Sequence, residues 1–169
     1  MTVEIRVGHR EDFNDIMELL ARCIKVMQDG GSDQWDNNYP NRDVIGEDLL
    51  KETLYIAERE GQILGMVVLD EHPDEQYQNI FWKQAEGPHL IMHRLAVDPK
   101  AQGQGIARRL VEFAEDHARR GGFRSIRLDT YSKNTAALKL YQGLNYDRRG
   151  EVIYPGRVAS FQVFEKVLT

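Results

Sequence analysis

One segment restricts what this chain can fold into more than any other: Leu95-Ala-Val-Asp-Pro-Lys-Ala-Gln-Gly-Gln-Gly-Ile-Ala-Arg108. A strand-forming run ends there, a glycine-rich loop follows, and an amphipathic helical pattern begins. Small residues at Gly103, Gly105 and Ala107 let the main chain approach a ligand closely. The unpaired N–H groups of a helix start favour an anion at that point. Lys100, Arg108 and Arg109 add positive charge. The segment is a candidate phosphate cradle; the plain alternative is a glycine-rich turn that holds nothing. Two familiar nucleotide loops fit poorly. A Walker A loop requires Gly-Lys-Ser/Thr, which the chain lacks. A dinucleotide fingerprint beginning at Gly103-x-Gly105 would put its third glycine where Arg108 stands, and Asp98 to Gln102 separate the strand from the glycines. Asp129 alone sits near the spacing expected of that fingerprint's ribose-binding acid.

The rest of the chain supplies a frame for this loop. Val3, Ile5 and Val7 alternate with polar residues as a short strand, and Phe13, Ile16, Met17, Leu20, Cys23, Ile24 and Met27 recur at helical spacing before Gly30-Gly31. A polar, aromatic-studded loop over 28–43 leads into a short helix at 43–51. Runs at 53–58 and 62–70 flank Glu60-Gly61 and read as an antiparallel pair. A long connection, 71–88, carries Tyr77, Phe81 and Trp82. Then come a strand over 89–97, a helix over 104–120, a strand over 125–130, a helix over 133–142 closed by Gly143, and strands over 145–153 and 158–167. The order is β-α-(α)-β-β-β-α-β-α-β-β. This is the α/β class with an α+β mixed sheet, not a doubly wound parallel one. No repeat or Pro/Ser linker divides the chain, so a single domain over 1–169 is expected.

Composition narrows the function classes. Twenty-two Lys plus Arg against 27 Asp plus Glu give a formal charge of −5, the wrong sign for a domain held to nucleic acid by counterion release. Cys23 is the only cysteine, so no internal disulfide and no cysteine-rich zinc site forms, and no His/Asp/Glu set has metal-ligand spacing. The longest apolar run, Ile63 to Leu69, is far short of the roughly 18 residues of a membrane span. Met1-Thr-Val-Glu-Ile-Arg has no apolar signal-peptide core. A cytoplasmic protein with no metal, nucleic-acid or membrane partner is the expectation.

Gln102-x-x-Gly105-x-Ala107 resembles the acetyl-CoA pyrophosphate loop of the GNAT N-acetyltransferase superfamily, Arg/Gln-x-x-Gly-x-Gly/Ala. Leu95-Ala-Val-Asp-Pro is similar to that family's fourth strand. The stretch Asn134 to Tyr146, Asn-Thr-Ala-Ala-Leu-Lys-Leu-Tyr-Gln-Gly-Leu-Asn-Tyr, is similar to its Asn-x-x-Ala-x-x-Leu-Tyr-x-x-x-Gly-Phe helix, with Asn145 where glycine is usual. The match is specific over 89–149. The resemblance implies a mostly antiparallel sheet of six to seven strands, flanked by helices and splayed at strands 4 and 5. It also implies acetyl-CoA as co-substrate and a primary amine as acceptor.

Carried over residue by residue, the resemblance assigns the pantetheine contacts to Leu95, Ala96 and Val97, with the Val97 N–H as oxyanion donor. The diphosphate falls to Gln102, Gly103, Gln104, Gly105, Ile106, Ala107 and Arg108. Asn134 and Tyr141 are two helical turns apart on one face. Asn134 would bond the coenzyme arm, and Tyr141 would protonate the leaving thiolate, a phenol near pKa 10 facing a thiolate near 8.5. A core aromatic is the alternative for Tyr141. Two groups compete as general base. His93 shares a strand face with Leu95 and Val97 if no bulge intervenes and matches a strand histidine of the arylalkylamine branch, whose partner position is Ile91 here. Asp129 matches an acid of the protein-N-terminal branch. His89 and His117 read as surface or satisfied histidines, and Arg94 as a structural pair. Trp35, Tyr39 and Trp82 in the long connections are the acceptor-wall candidates, or else anchors to the core. The function expected is acetyl transfer to a small amine. The alternatives are a protein α-amino acceptor and a non-catalytic acyl-CoA sensor, against which the retained Tyr141 argues. Exposed residues of the last two strands offer a face for a homodimer.

Overall fold

The computed structural model describes residues 2–168. Its elements are β1 (Glu4–Val7), α1 (Phe13–Asp29), α2 (Arg42–Leu50), β2 (Leu54–Arg59), β3 (Gln62–Asp70), β4 (His89–Val97), α3 (Ile106–Arg120), β5 (Ser125–Tyr131), α4 (Thr135–Gly143), β6 (Asp147–Val152) and β7 (Phe161–Val167). The seven strands form one mixed sheet in the order β1-β2-β3-β4-β5-β7-β6. β1 with β2, β2 with β3, β5 with β7 and β6 with β7 are antiparallel, whereas β4 and β5 run parallel. That parallel ladder pairs only His89–Ile91 with Ser125–Arg127. The short ladder is the splay expected between strands 4 and 5.

Within this order the chain packs as two compact units. The first comprises residues up to Leu69 with Arg94–Ala114, and the second comprises Asp70–His93 with Glu115 onward. In the first, the 3.6-residue spacing of Ile16, Leu19, Leu20, Cys23 and Ile24 on α1 places one stripe against Ile56, Met66 and Val68 of β2 and β3. In the second, Tyr77, Ile91, Tyr131, Val152, Phe161 and Val163 form the core cluster. Glu60 and Gly61, with φ of 52° and 77°, make the left-handed pair of a tight hairpin that joins Arg59 to Gln62. Among the described residues no helix is long and apolar enough to cross a membrane.

Both ends of α4 differ from the sequence reading, each for a local reason. α4 begins at Thr135 because Asn134 is its N-cap, the Asn134 Oδ1 accepting the Ala137 N–H at 3.1 Å. Asn134 therefore lies just outside the helical face it was expected to share with Tyr141. At the other end, Tyr146 N–H donates to the Tyr141 carbonyl and Asn145 N–H to that of Gln142, with Asn145 at φ 67°. The left-handed closing residue is thus Asn145, not Gly143, which is why glycine is usual there and asparagine is tolerated.

Candidate active site

In the first unit the site begins with a break in β4. Arg94 has φ 49°, a left-handed conformation that costs an L-residue about 1–2 kcal/mol. The expectation that His93, Leu95 and Val97 share a face assumed an unbroken alternation, and Arg94 interrupts it. The Arg94 guanidinium is held in place by its partners. Nε and the second terminal nitrogen donate to the two Asp48 oxygens at 2.9 and 2.7 Å, and the remaining nitrogen donates to the Tyr39 hydroxyl at 2.9 Å. Beyond the break, the Cys23 thiol donates to the Val97 carbonyl at 3.3 Å, and burial pushes that thiol up to about 11. Asp98 caps the next turn by accepting the Lys100 N–H at 3.0 Å and pairs with Arg22 at 2.8 Å.

The loop that follows is exposed from Gln102 to Gly105. Gly103 and Gly105 have φ of 79° and 77°, and a Cβ built on either would meet nothing within 4 Å. The glycines are thus required by backbone conformation and leave the loop surface open. The bond that starts α3 is Arg109 N–H to the Gly105 carbonyl at 3.1 Å. The N–H groups of Ile106, Ala107 and Arg108 precede it and have no acceptor within the helix. Nearby side chains are partly engaged: Arg59 donates to the Gln104 side-chain oxygen, Arg108 pairs with Glu112, and Arg109 donates to the Val3 carbonyl.

In the second unit, Asp129 on β5 sits in a knot of hydroxyls and carboxylates. Its Oδ2 accepts from the Tyr77 hydroxyl at 2.7 Å and lies 2.8 Å from the Tyr154 hydroxyl, which is itself 2.6 Å from Asp74 Oδ2. Burial raises the Asp129 carboxyl above the ordinary range against the opposing effect of the two hydroxyls. His93 Nε2 is 2.9 Å from Asp70 Oδ1. Burial pushes the Asp70 carboxyl up, but the hydrogen bond and charge of His93, with those of His72, together outweigh it and leave Asp70 lowered. Tyr141 is buried, with its ring 5.7 Å from that of Tyr146 and 5.9 Å from that of Phe164. Burial, reinforced by the charge of Asp129, raises its phenol well above the usual value.

The acceptor-wall candidates separate. Trp35 is 6 % exposed and belongs to the core of the first unit, so it is an anchor and lines no surface. Tyr39 is 38 % exposed and presents its ring while its hydroxyl serves Arg94. Trp82 packs on Tyr77, and the Arg127 guanidinium covers its ring at 4.1 Å. His89 Nδ1 is 2.7 Å from Ser125 Oγ, a satisfied histidine. The sequence reading did not single out Asp48, Asp70, Asp74 or Tyr154. Each meets its partner across 23 to 80 residues of chain, beyond the reach of any local pattern.

The acetyltransferase (GNAT) family model matches residues 13–146. The chain belongs to the GNAT family. It is an acetyl-CoA-dependent N-acetyltransferase. A Bacillus subtilis (strain 168) relative, the uncharacterized N-acetyltransferase YesJ, is 26 % identical over 161 residues, 94 % of this chain and 87 % of its own length. Other curated relatives, mycothiol acetyltransferases among them, are longer, and this chain spans less than half of each. A GNAT-family acetyltransferase from Streptococcus agalactiae 2603 has the same fold, with a TM-score of 0.88 at 23 % identity over 99 % of this chain and 96 % of that one. The NatC complex bound to Gag peptide and CoA has it with a TM-score of 0.72 at 23 % identity over the whole of both chains. The co-substrate fits the residues present: a diphosphate needs main-chain donors and an unobstructed approach, and the loop before α3 has helix-start N–H groups and two glycines with open Cβ positions.

Proposed function

We propose that this GNAT enzyme moves the acetyl group of acetyl-CoA to a small primary amine by direct attack of the amine on the thioester. The carrying observation is the loop that opens α3, where Gly103 and Gly105 at positive φ leave the main chain open and the helix-start N–H groups precede the first helical bond. The main-chain N–H groups from Gln102 to Arg108 hold the diphosphate. Leu95, Ala96 and Val97 hold the pantetheine arm, and the Val97 N–H faces the developing oxyanion, a contact worth about 3–4 kcal/mol. Asn134, the N-cap residue of α4, contacts the arm. The exposed ring of Tyr39 contributes to acceptor recognition.

Asp129 removes the proton from the acceptor ammonium. Tyr141 meets the departing sulfur with its hydroxyl. With its acidity suppressed by burial, its phenolate is a stronger base than a thiolate near 8.5, so the proton stays on Tyr141. Tyr141 thus stabilises the departing sulfur by donating a hydrogen bond while the C–N bond forms and the C–S bond breaks, and the thiolate takes up the second proton that the acylated nitrogen releases.

Asp129→Asn is expected to lower kcat by about 10²–10⁴-fold in a thiol-release assay with acetyl-CoA and a panel of amines, with His93→Gln nearly unchanged. The reverse pattern would transfer the base role to His93, a reading its 2.9 Å contact with Asp70 supports. A second acceptor, a protein α-amino group, is favoured by the likeness to the peptide-bound NatC complex. Turnover of short peptides in place of every small amine would establish it. No turnover with either class would refute the transferase reading of this site.

A further inference from the structure

The Asp129 knot has more close oxygen contacts than its phenols have protons. Tyr77 to Asp129, Tyr154 to Asp129 and Tyr154 to Asp74 are three oxygen–oxygen contacts of 2.7, 2.8 and 2.6 Å. Each is short enough to need a proton between its oxygens. The two tyrosines supply two. The Tyr77 proton serves Asp129, and the Tyr154 hydroxyl, with a single proton, serves one carboxylate only. Its remaining contact would set a phenol lone pair against a carboxylate lone pair unless that carboxyl carries a proton of its own.

We propose that Asp129 and Asp74 share one proton through the Tyr154 hydroxyl, and that Asp74 and Tyr154 are positioning residues that set whether Asp129 is ionised. The proposal rests on the reading of Asp129 as the base. With the shared proton on Asp74, the Asp74 O–H donates to the Tyr154 oxygen, Tyr154 donates to Asp129, and Asp129 is a carboxylate accepting two phenols. With the shared proton on Asp129, the same chain runs the other way, and Tyr154 donates to Asp74. The two arrangements interconvert by a concerted shift of two protons, with one O–H bond broken and one formed at Tyr154 and no net change in charge. Asp74 is the carboxyl on the exposed connection, so a proton taken up at Asp129 reaches solvent through it.

The geometry holds Tyr154 to this task. Its ring packs edge-on against Phe161 at 4.9 Å, and Phe161 in turn packs on Tyr131 at 4.8 Å, both within the buried cluster of the second unit. The hydroxyl is therefore fixed between the carboxylates by the core behind it. The other groups that act on Asp129 are Tyr77 from the short 3-10 turn Glu75–Asn79, His93 from β4 with its partner Asp70, and Tyr141 from α4. Burial of Asp129 favours its neutral form, the nearby Asp74 charge acts in the same direction, and the two phenols oppose them.

Two variants move the shared proton in opposite directions. Asp74→Asn keeps a hydrogen-bond donor facing Tyr154 and removes the competing carboxylate, so Asp129 ionises at lower pH. Tyr154→Phe removes one of the two donors to Asp129, so Asp129 ionises at higher pH. The experiment is a carbon-13 titration of aspartate carboxyl groups in the full chain, read beside the acidic limb of kcat/KM. In the unsubstituted protein the two carboxyls are expected to titrate as a coupled pair in separate steps. The Asp129 step should fall by about one pH unit in Asp74→Asn and rise by a similar amount in Tyr154→Phe, with the acidic limb following in sign. A purely structural role would lower activity in both variants without opposite displacements. Independent titration of Asp74 and Asp129 in the ordinary carboxylate range would overturn the proposal. Coupled titration with an acidic limb that ignores both variants would uphold the shared proton and refute Asp129 as the base.

Discussion

The Arg94–Asp48 pair gives the sharpest quantitative test of how this sequence holds its site. Asp48→Ala removes a carboxylate that accepts two hydrogen bonds, at 2.9 and 2.7 Å, from one guanidinium. The side chains are 13 % and 10 % exposed, so water cannot replace what is lost. Burial opposes the Arg94 charge, and its phenol and carboxylate neighbours outweigh that cost to keep the guanidinium raised. Leaving such a cation buried without its carboxylate costs about 3–5 kcal/mol. For a chain of this size each kilocalorie lowers Tm by about 2–4 °C, so a fall of about 10 °C is expected. Urea denaturation should show the loss as a lower midpoint at unchanged slope. Arg94→Met in the Asp48→Ala background removes the orphaned charge. The double variant should therefore be more stable than Asp48→Ala alone, with a coupling energy of about 3 kcal/mol. A loss under about 1 kcal/mol in Asp48→Ala, or additive single effects, would refute the reasoning.

Three further outcomes follow from the same structure. Tyr141→Phe keeps the buried ring and removes only the hydroxyl, so kcat should fall at least about tenfold with acetyl-CoA affinity by calorimetry nearly unchanged; lost affinity at normal turnover would refute the donor role. Gly105→Val forces a β-branched residue into φ 77° where no neighbour would clash, so calorimetry should show weakened coenzyme binding in a folded protein, and unchanged affinity would count against the loop assignment. Hydrogen bonding from Arg6 holds the Asp12 carboxyl below its ordinary value. Its stabilisation is therefore present above the unfolded-state value and is lost as pH falls through the folded one. The stability difference between the unsubstituted protein and Asp12→Asn, measured by urea titration, should shrink as pH drops below about 4.

Much of the fold was legible because local patterns encode it. The spacing along α1 gives a helix whose apolar stripe is the one buried, and Glu60-Gly61 marks the hairpin with the left-handed pair it adopts. The glycine loop was legible for the same reason, since its conformation is written in residues that tolerate positive φ. Arg94 was not: nothing in its type signals a left-handed residue inside a strand, and the side chains that hold its guanidinium, Asp48 and Tyr39, lie 46 and 55 residues away. Asn134 looked like a helix-face residue because spacing alone does not separate an N-cap from the first turn. The aromatics of the connections carried little information about their own burial. Trp35 packs among Ile16, Leu20, Ile56 and other residues of the first unit's core cluster, partners distant in sequence that its own neighbours do not announce. The proton-deficient knot around Asp129 depends on groups 25 to 80 residues apart and becomes visible only when their oxygens are placed together.

We propose that the main-chain amides opening α3 grip the coenzyme. Amide chemical shifts of nitrogen-15-labelled protein titrated with CoA test it most directly. The largest saturable shifts are expected at Gly103 through Arg108. Saturable binding that leaves those amides unmoved, with the largest shifts on other elements, would contradict it.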